Sequence, residues 1–205
     1  MQKFTAQDFP GRIATIIFTA GCNLKCHYCH NKKIAFDEKL IDHLDVYEHL
    51  QKRRDLLEGV VLSGGEPTIH DDIVSSIHRI RKLGYDIKLD TNGAKPKILD
   101  RLIRKKMVDY VAMDIKTSPE KYKYMFRGNV EFDKIIKSIN ITKKAPEYEF
   151  RTTIVPSVVS LEDMKNIANL CNGAEKFYIQ KSDYSQNVEE YKDIIKDSVE
   201  SCVIR

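Results

Sequence analysis

Gly21-Cys22-Asn23-Leu24-Lys25-Cys26-His27-Tyr28-Cys29-His30-Asn31 places three cysteines in a C-x3-C-x2-C run directly after the apolar stretch Ile13–Thr19. Structural zinc takes four protein ligands, and iron–sulfur cubanes usually take four cysteines. Three thiolates therefore imply an iron left open for another ligand. The competing reading is a zinc site that His27 or His30 completes. Spacing argues against it. Small zinc modules commonly place two close ligands, an intervening element and two more, whereas here every candidate crowds into one loop.

Working outward from this loop, short apolar runs alternate with helical patterns. Strands are predicted at 13–19, 60–62, 85–89, 110–115, 149–155 and 177–179. Between them, Ile73, Val74, Ile77, Ile80 and Leu83, and likewise Phe132, Ile135, Ile136 and Ile139, recur at helical spacing and mark one buried stripe each. Ser118-Pro119-Glu120 offers an N-cap followed by proline, Ser160-x-x-Asp163 has the form of a capping box, and Asp71 and Asp72 suit a helix N-terminus. Strands joined by helical crossovers pair in parallel, so the chain is α/β. The pattern alone leaves two forms open, a doubly wound sheet and part of a barrel.

Polar motifs fall at the carboxyl ends of these strands, where α/β folds place their working residues. Ser63-Gly64-Gly65-Glu66-Pro67 follows the second strand, and its glycines let backbone approach a ligand closely. Asp90-Thr91-Asn92-Gly93 ends the third strand and Met113-Asp114-Ile115-Lys116 the fourth. Taken singly, these read as an Asn-Gly turn and a same-face ion pair. Arg151 lies within the apolar strand Glu149-Phe-Arg-Thr-Thr-Ile-Val-Pro156, where a charge requires a partner: a carboxylate gripped bidentately or a neighbouring acid.

The cysteine loop followed by the Gly-Gly-Glu strand end resembles the radical S-adenosylmethionine (SAM) superfamily. The resemblance implies a partial (β/α)6 barrel with a mainly parallel sheet and outer helices. It also implies a [4Fe-4S] cluster held by Cys22, Cys26 and Cys29, and reductive cleavage of S-adenosyl-L-methionine to a 5′-deoxyadenosyl radical that abstracts hydrogen from a substrate. By the same resemblance, Gly64, Gly65 and Glu66 bind the SAM amino group, and Tyr28 and His30 contact SAM and shield the cluster. Lys116 lies near the SAM carboxylate, with Asn92, Asp114 and Arg151 around the cofactor. Asp90, Thr91 and Asp114 correspond to a monovalent cation site, for which hard oxygen ligands are suited.

Asp8-Phe9-Pro10-Gly11, Cys29-His30-Asn31, the 90–93 box, Asp109-Tyr-Val-Ala-Met-Asp-Ile-Lys116 and the Arg151 strand together resemble the anaerobic ribonucleotide reductase activating proteins. The pyruvate formate-lyase activating enzymes are matched less closely, and the compact carboxy-deazaguanine synthases less still. The first resemblance implies a glycyl-radical enzyme as partner and a flavodoxin or ferredoxin-type reductant. Formate-lyase activators carry a histidine near SAM after their last strands, but Tyr178-Ile179-Gln180-Lys181 has none.

The 205 residues suit one domain, 1–205, with a sizeable core. The net charge of +4 is mild. The basic clusters Lys52-Arg53-Arg54 and 101–106 fall on predicted helices and read as solvated faces rather than a nucleic-acid surface. The longest uncharged stretch, 13–24, is too short to span a bilayer, and residues 1–11 lack the apolar core of a secretory signal. These readings predict a cytoplasmic protein without membrane or nucleic-acid partners, with Cys171 and Cys202 as ordinary free thiols.

Overall fold

A computed structural model describes residues 1–36, 43–125, 130–185 and 187–205. Eight strands form one sheet: β1 (Gln2–Thr5), β2 (Ala14–Thr19), β3 (Gly59–Gly64), β4 (Asp86–Thr91), β5 (Tyr110–Asp114), β6 (Glu147–Thr153), β7 (Ala174–Gln180) and β8 (Val199–Ile204). The helices are α1 (Lys32–Phe36), α2 (His43–Lys52), α3 (Ile73–Arg81), α4 (Pro96–Arg104), α5 (Pro119–Met125), α6 (Phe132–Thr142), α7 (Leu161–Cys171) and α8 (Val188–Ile195).

The strand order follows the chain, β1 to β8, and only the β1–β2 pair is antiparallel. This order decides between the two forms left open by the sequence. A doubly wound sheet reverses its order at a switch point. A strictly sequential order with right-handed crossovers carries the helices to one face and leaves the other concave. The sheet is the expected partial barrel, with β2 to β7 matching the six predicted strands. It stays open, because β1 and β8 are its two edges.

The helix-facing side buries Ile87, Leu89, Val111 and Met113 against Ile77, Leu99, Leu102, Ile135 and Ile139 in the main core. On the concave side a smaller cluster, Phe9, Ala14, Ile16, Val61, Tyr110 and Ala112, fills the amino end of the barrel. Phe9 packs edge-on to Tyr110 at 6.0 Å. Its ring also sits so close to Gly59 that a Cβ there would meet it at 2.7 Å. Arg12 fixes this plug, pairing with Asp86 at 2.7 Å and Glu147 at 3.0 Å, residues at the starts of β4 and β6.

The predicted capping box forms: Ser160 Oγ accepts from Asp163 N–H, and Asp163 accepts from Ser160 N–H at 2.7 Å. The expected cap of α5 does not form through its side chain. Ser118 Oγ instead donates to Asp163, as does Lys121 Nζ, so this one carboxylate joins α5 to α7. Burial raises the Asp163 carboxyl, but Lys121, Ser118 and Ser160 outweigh it and hold it at about 2, below its ordinary 3.8. Its contribution is complete above the ordinary value and is lost as pH falls toward 2. Asp163→Ala is expected to cost about 2 kcal/mol, from a lost cap and lost charge-assisted bonds. Chemical denaturation near neutral pH checks this, and an unchanged midpoint would contradict it.

Candidate active site

All the side chains singled out at the strand ends line one cavity of about 370 Å³ at the carboxyl edge of the sheet. That volume falls within the ~300–1,000 Å³ typical of ligand sites. The loop after β2 brings Cys22, Cys26, Tyr28, Cys29 and His30. The ends of β3, β4, β5 and β6 bring Gly64 to Glu66, Asp90 to Asn92, Asp114 with Lys116, and Arg151.

A network of charge lines the cavity floor, with Arg151 and Lys88 buried and Asp90, Asp114 and Lys116 half-buried. Arg151 donates from Nε to Asp114 Oδ1 at 2.7 Å, and its Nη1 lies 3.3 Å from Asp90 Oδ1. Asp90 also accepts from Lys88 Nζ at 2.8 Å and Ser63 Oγ at 2.9 Å, and Asp114 accepts from Lys116 Nζ at 2.7 Å. Lower still, Glu149 is fully buried and accepts from the Tyr110 hydroxyl at 2.6 Å. Burial alone would neutralise these groups. Arg151, Lys88 and Lys116 outweigh it and hold Asp90 and Asp114 below the usual carboxylate range. Lys116 and Arg151 in turn stay cationic against burial, chiefly through Asp114.

The Arg151 guanidinium bridges Asp90 and Asp114, two of the residues expected at a monovalent cation site. The Thr91 hydroxyl donates to Glu66 Oε1 at 2.8 Å.

Glu66 and Asn92, expected around the cofactor, both line the cavity and are bonded within the chain. Glu66 is 1% exposed, and its carboxylate accepts from Thr68 N–H, Thr68 Oγ1, Thr91 Oγ1 and Asn92 N–H. Asn92 accepts from Ala94 N–H through Oδ1, and its Nδ2 donates to Asn23 Oδ1 at 2.9 Å and lies 3.9 Å from Cys22 Sγ. The two residues form a strut from β3 through β4 to the cysteine loop. Through it they position the loop.

The glycine pair is required by the same packing. Gly64 has φ +106°, and a Cβ on Gly65 would fall 1.8 Å from the Gly21 carbonyl oxygen. The backbones are stitched there by Gly65 N–H to Thr19 O at 2.8 Å and Glu66 N–H to Gly21 O at 2.9 Å. Sequence reasoning assigned these glycines to close approach of a ligand; the chain that approaches is the start of the cysteine loop. Gly65→Ala is expected to displace that loop, costing about 1–3 kcal/mol and weakening SAM binding at least tenfold. Isothermal titration under anaerobic conditions checks it, and wild-type affinity would contradict it.

Three cysteines, a buried Tyr28 hydroxyl and a lysine with donors to spare are the groups that a cluster and SAM would use. The Tyr28 hydroxyl lies near Cys26 and Lys116 and has no oxygen or nitrogen partner among the described residues. Burial pushes the Cys22 thiol up to about 11 and raises Cys26 as well, so loading metal displaces protons. Among the described residues no three His, Cys, Asp or Glu side chains converge on a single ion. His27 is exposed and packs edge-on to Tyr28 at 5.3 Å.

Asp8, Ser63, Thr153 and Gln180 also stand on the cavity wall, within motifs read from the sequence but with no site role assigned to them there. Thr153 and Gln180 were within reach of the strand-end rule, since Thr153 follows Arg151 by one strand period. Thr153 donates to Gln180 Oε1 at 3.1 Å, at the strand end where no histidine stands.

Comparison with known proteins agrees with this geometry. A family model described as the Radical SAM superfamily matches residues 16–171. A Methanocaldococcus jannaschii protein, named as a glycyl-radical enzyme activating enzyme, is 38% identical over 182 residues, covering 85% of this chain and 75% of that one. A Pyrococcus abyssi protein named as a GTP 3′,8-cyclase is 33% identical over 130 residues, covering 63% of this chain and 42% of its own. The fold is shared with SuiB of Streptococcus suis bound to S-adenosylmethionine, at a TM-score of 0.67 and 16% identity, over 94% of this chain and 50% of that one. The matched span holds the cysteine loop, the glycine pair, Lys116 and Arg151, and by it the chain belongs to the radical SAM superfamily, whose enzymes work with a [4Fe-4S] cluster and S-adenosylmethionine.

Proposed function

We propose that this enzyme activates a glycyl-radical enzyme by removing a Cα hydrogen from a glycine of that partner, and that the partner is an anaerobic ribonucleotide reductase. The observation that carries the reading is the 38% identity to a relative named for glycyl-radical activation, over 85% of the chain. The open sheet supports it. Because β1 and β8 do not pair, the concave face is accessible from the side, as a protein loop requires. The motifs at 8–11, 29–31, 90–93 and 109–116 favour the reductase over the pyruvate formate-lyase type of partner.

When bound and reduced, the cluster and SAM supply methionine and a 5′-deoxyadenosyl radical. The chain's own residues prepare the site for this. Cys22, Cys26 and Cys29 would hold the cluster and leave one iron for the cofactor. Lys116, fixed by Asp114 and with no other side-chain acceptor among the described residues, would receive the SAM carboxylate. Tyr28 and Leu24 wall the cavity from water, and the Glu66–Asn92 strut holds the loop that carries the thiolates. The working compartment is the reducing cytoplasm, and the electron comes from a flavodoxin or ferredoxin-type protein. No helix among the described residues is long and apolar enough to cross a membrane.

The test mixes reconstituted protein, SAM and reductant anaerobically with an anaerobic ribonucleotide reductase and records the electron paramagnetic resonance spectrum. A glycine-centred doublet is expected. Deoxyadenosine without the doublet would retain the radical chemistry and overturn this partner.

A further inference from the structure

The cysteine loop is one residue thick at its first thiolate. Cys22 and Leu24 line the active cavity, while Asn23 between them lines a separate groove of about 710 Å³ bounded by α4 and α6. The floor of that groove is apolar, with Ala94, Pro96, Ile98, Val130 and Ile141. Its rim carries Lys95, Lys97, Lys134 and Lys137. Asp100, the one acid lining it, is paired with Arg104 at 2.8 Å, and Lys134 is paired with Glu131 at 3.1 Å. Lys95, Lys97 and Lys137 are exposed and have no ion partner among the described residues.

We propose that this groove docks an acidic protein that delivers the electron to the cluster by way of Asn23 and Cys22. The inference rests on the cluster reading of the three cysteines. The donor loses one electron, the cluster gains one, and no atom is transferred. An electron donor that used the mouth of the cavity would compete with the substrate. A surface on the far side of Cys22 lets both be present together. Unpaired lysines attract an acidic partner from a distance, and the apolar floor supplies contact once it arrives. Asn92 clamps Asn23 at 2.9 Å, so the route from groove to thiolate is held in place.

The test uses anaerobically reconstituted wild type and the triple variant K95E/K97E/K137E. Cluster bleaching is followed with photoreduced flavodoxin and, separately, with photoreduced 5-deazariboflavin, a small uncharged donor. The flavodoxin rate in the variant is expected to fall about tenfold or more at low salt and to lose its salt dependence. The deazariboflavin rate and SAM affinity are expected to stay unchanged. The neutral variant K95Q/K97Q/K137Q is expected to show an intermediate loss. Equal flavodoxin rates in variant and wild type would overturn the proposal, as would an equal loss with both donors. A wild-type protein that takes up no iron and sulfide would instead fail the cluster reading itself, and the proposal with it.

Discussion

Cys26→Ala is expected to abolish SAM cleavage altogether, with no deoxyadenosine above background and a cluster that is lost or labile on anaerobic desalting. Three cysteines already leave one iron without a protein ligand, so removing one more opens a second corner of the cubane. Cys26 is also the thiol that faces the site's cation and the Tyr28 hydroxyl. Lys116 opposes the burial that raises its protonation, which favours the thiolate that metal needs. Iron and sulfide analysis beside product chromatography checks the prediction. Retained iron with retained cleavage would mean that the ligand set has been misassigned.

Arg151→Met is expected to destabilise the protein by about 3 kcal/mol, because it removes the buried guanidinium that joins the half-buried Asp90 and Asp114 carboxylates. Arg151 touches both Asp114 and Asp90, and its Nη1 lies 3.8 Å from Glu149 Oε1, which Arg205 Nη1 also approaches to 3.8 Å. Lys88 and Lys116 remain as partners, which places the effect at the lower end for a broken buried network. The pH dependence carries a sign. Asp90 and Asp114 titrate below their ordinary 3.8 in the folded protein, so the stability they contribute is present above that value and is lost on acidification. Without the guanidinium both carboxyls rise, and the variant is expected to lose stability at a higher pH than wild type. Thermal unfolding across acidic pH checks this. Parallel curves would show that Arg151 does not hold the two acids.

The six inner strands were legible because each is a short apolar run bounded by turn residues, and the capping box at Ser160 was legible because it is local. The edge strands were not. β1 buries only Thr5 of its four residues, and β8 reads Val-Glu-Ser-Cys-Val-Ile without a clean alternation, so neither carries a period to detect. The sequential strand order was not legible either, since pairing between distant segments leaves no local mark. At the site, every side chain picked from a strand end reached the same cavity. Their roles were harder to read. Arg151 meets Asp114 across 37 residues of chain, and Gly65 packs against the Gly21 backbone. Position follows from topology, whereas partners follow from side-chain packing in three dimensions.

The central claim is that a glycine of a partner protein gives up its hydrogen in this site. The most direct measurement prepares the anaerobic ribonucleotide reductase with α-deuterated glycine and weighs the 5′-deoxyadenosine formed with this enzyme, SAM and reductant. Transfer of one deuterium into the nucleoside, dependent on the partner, is the predicted result. Unlabelled deoxyadenosine formed at the same rate in the partner's presence would contradict it.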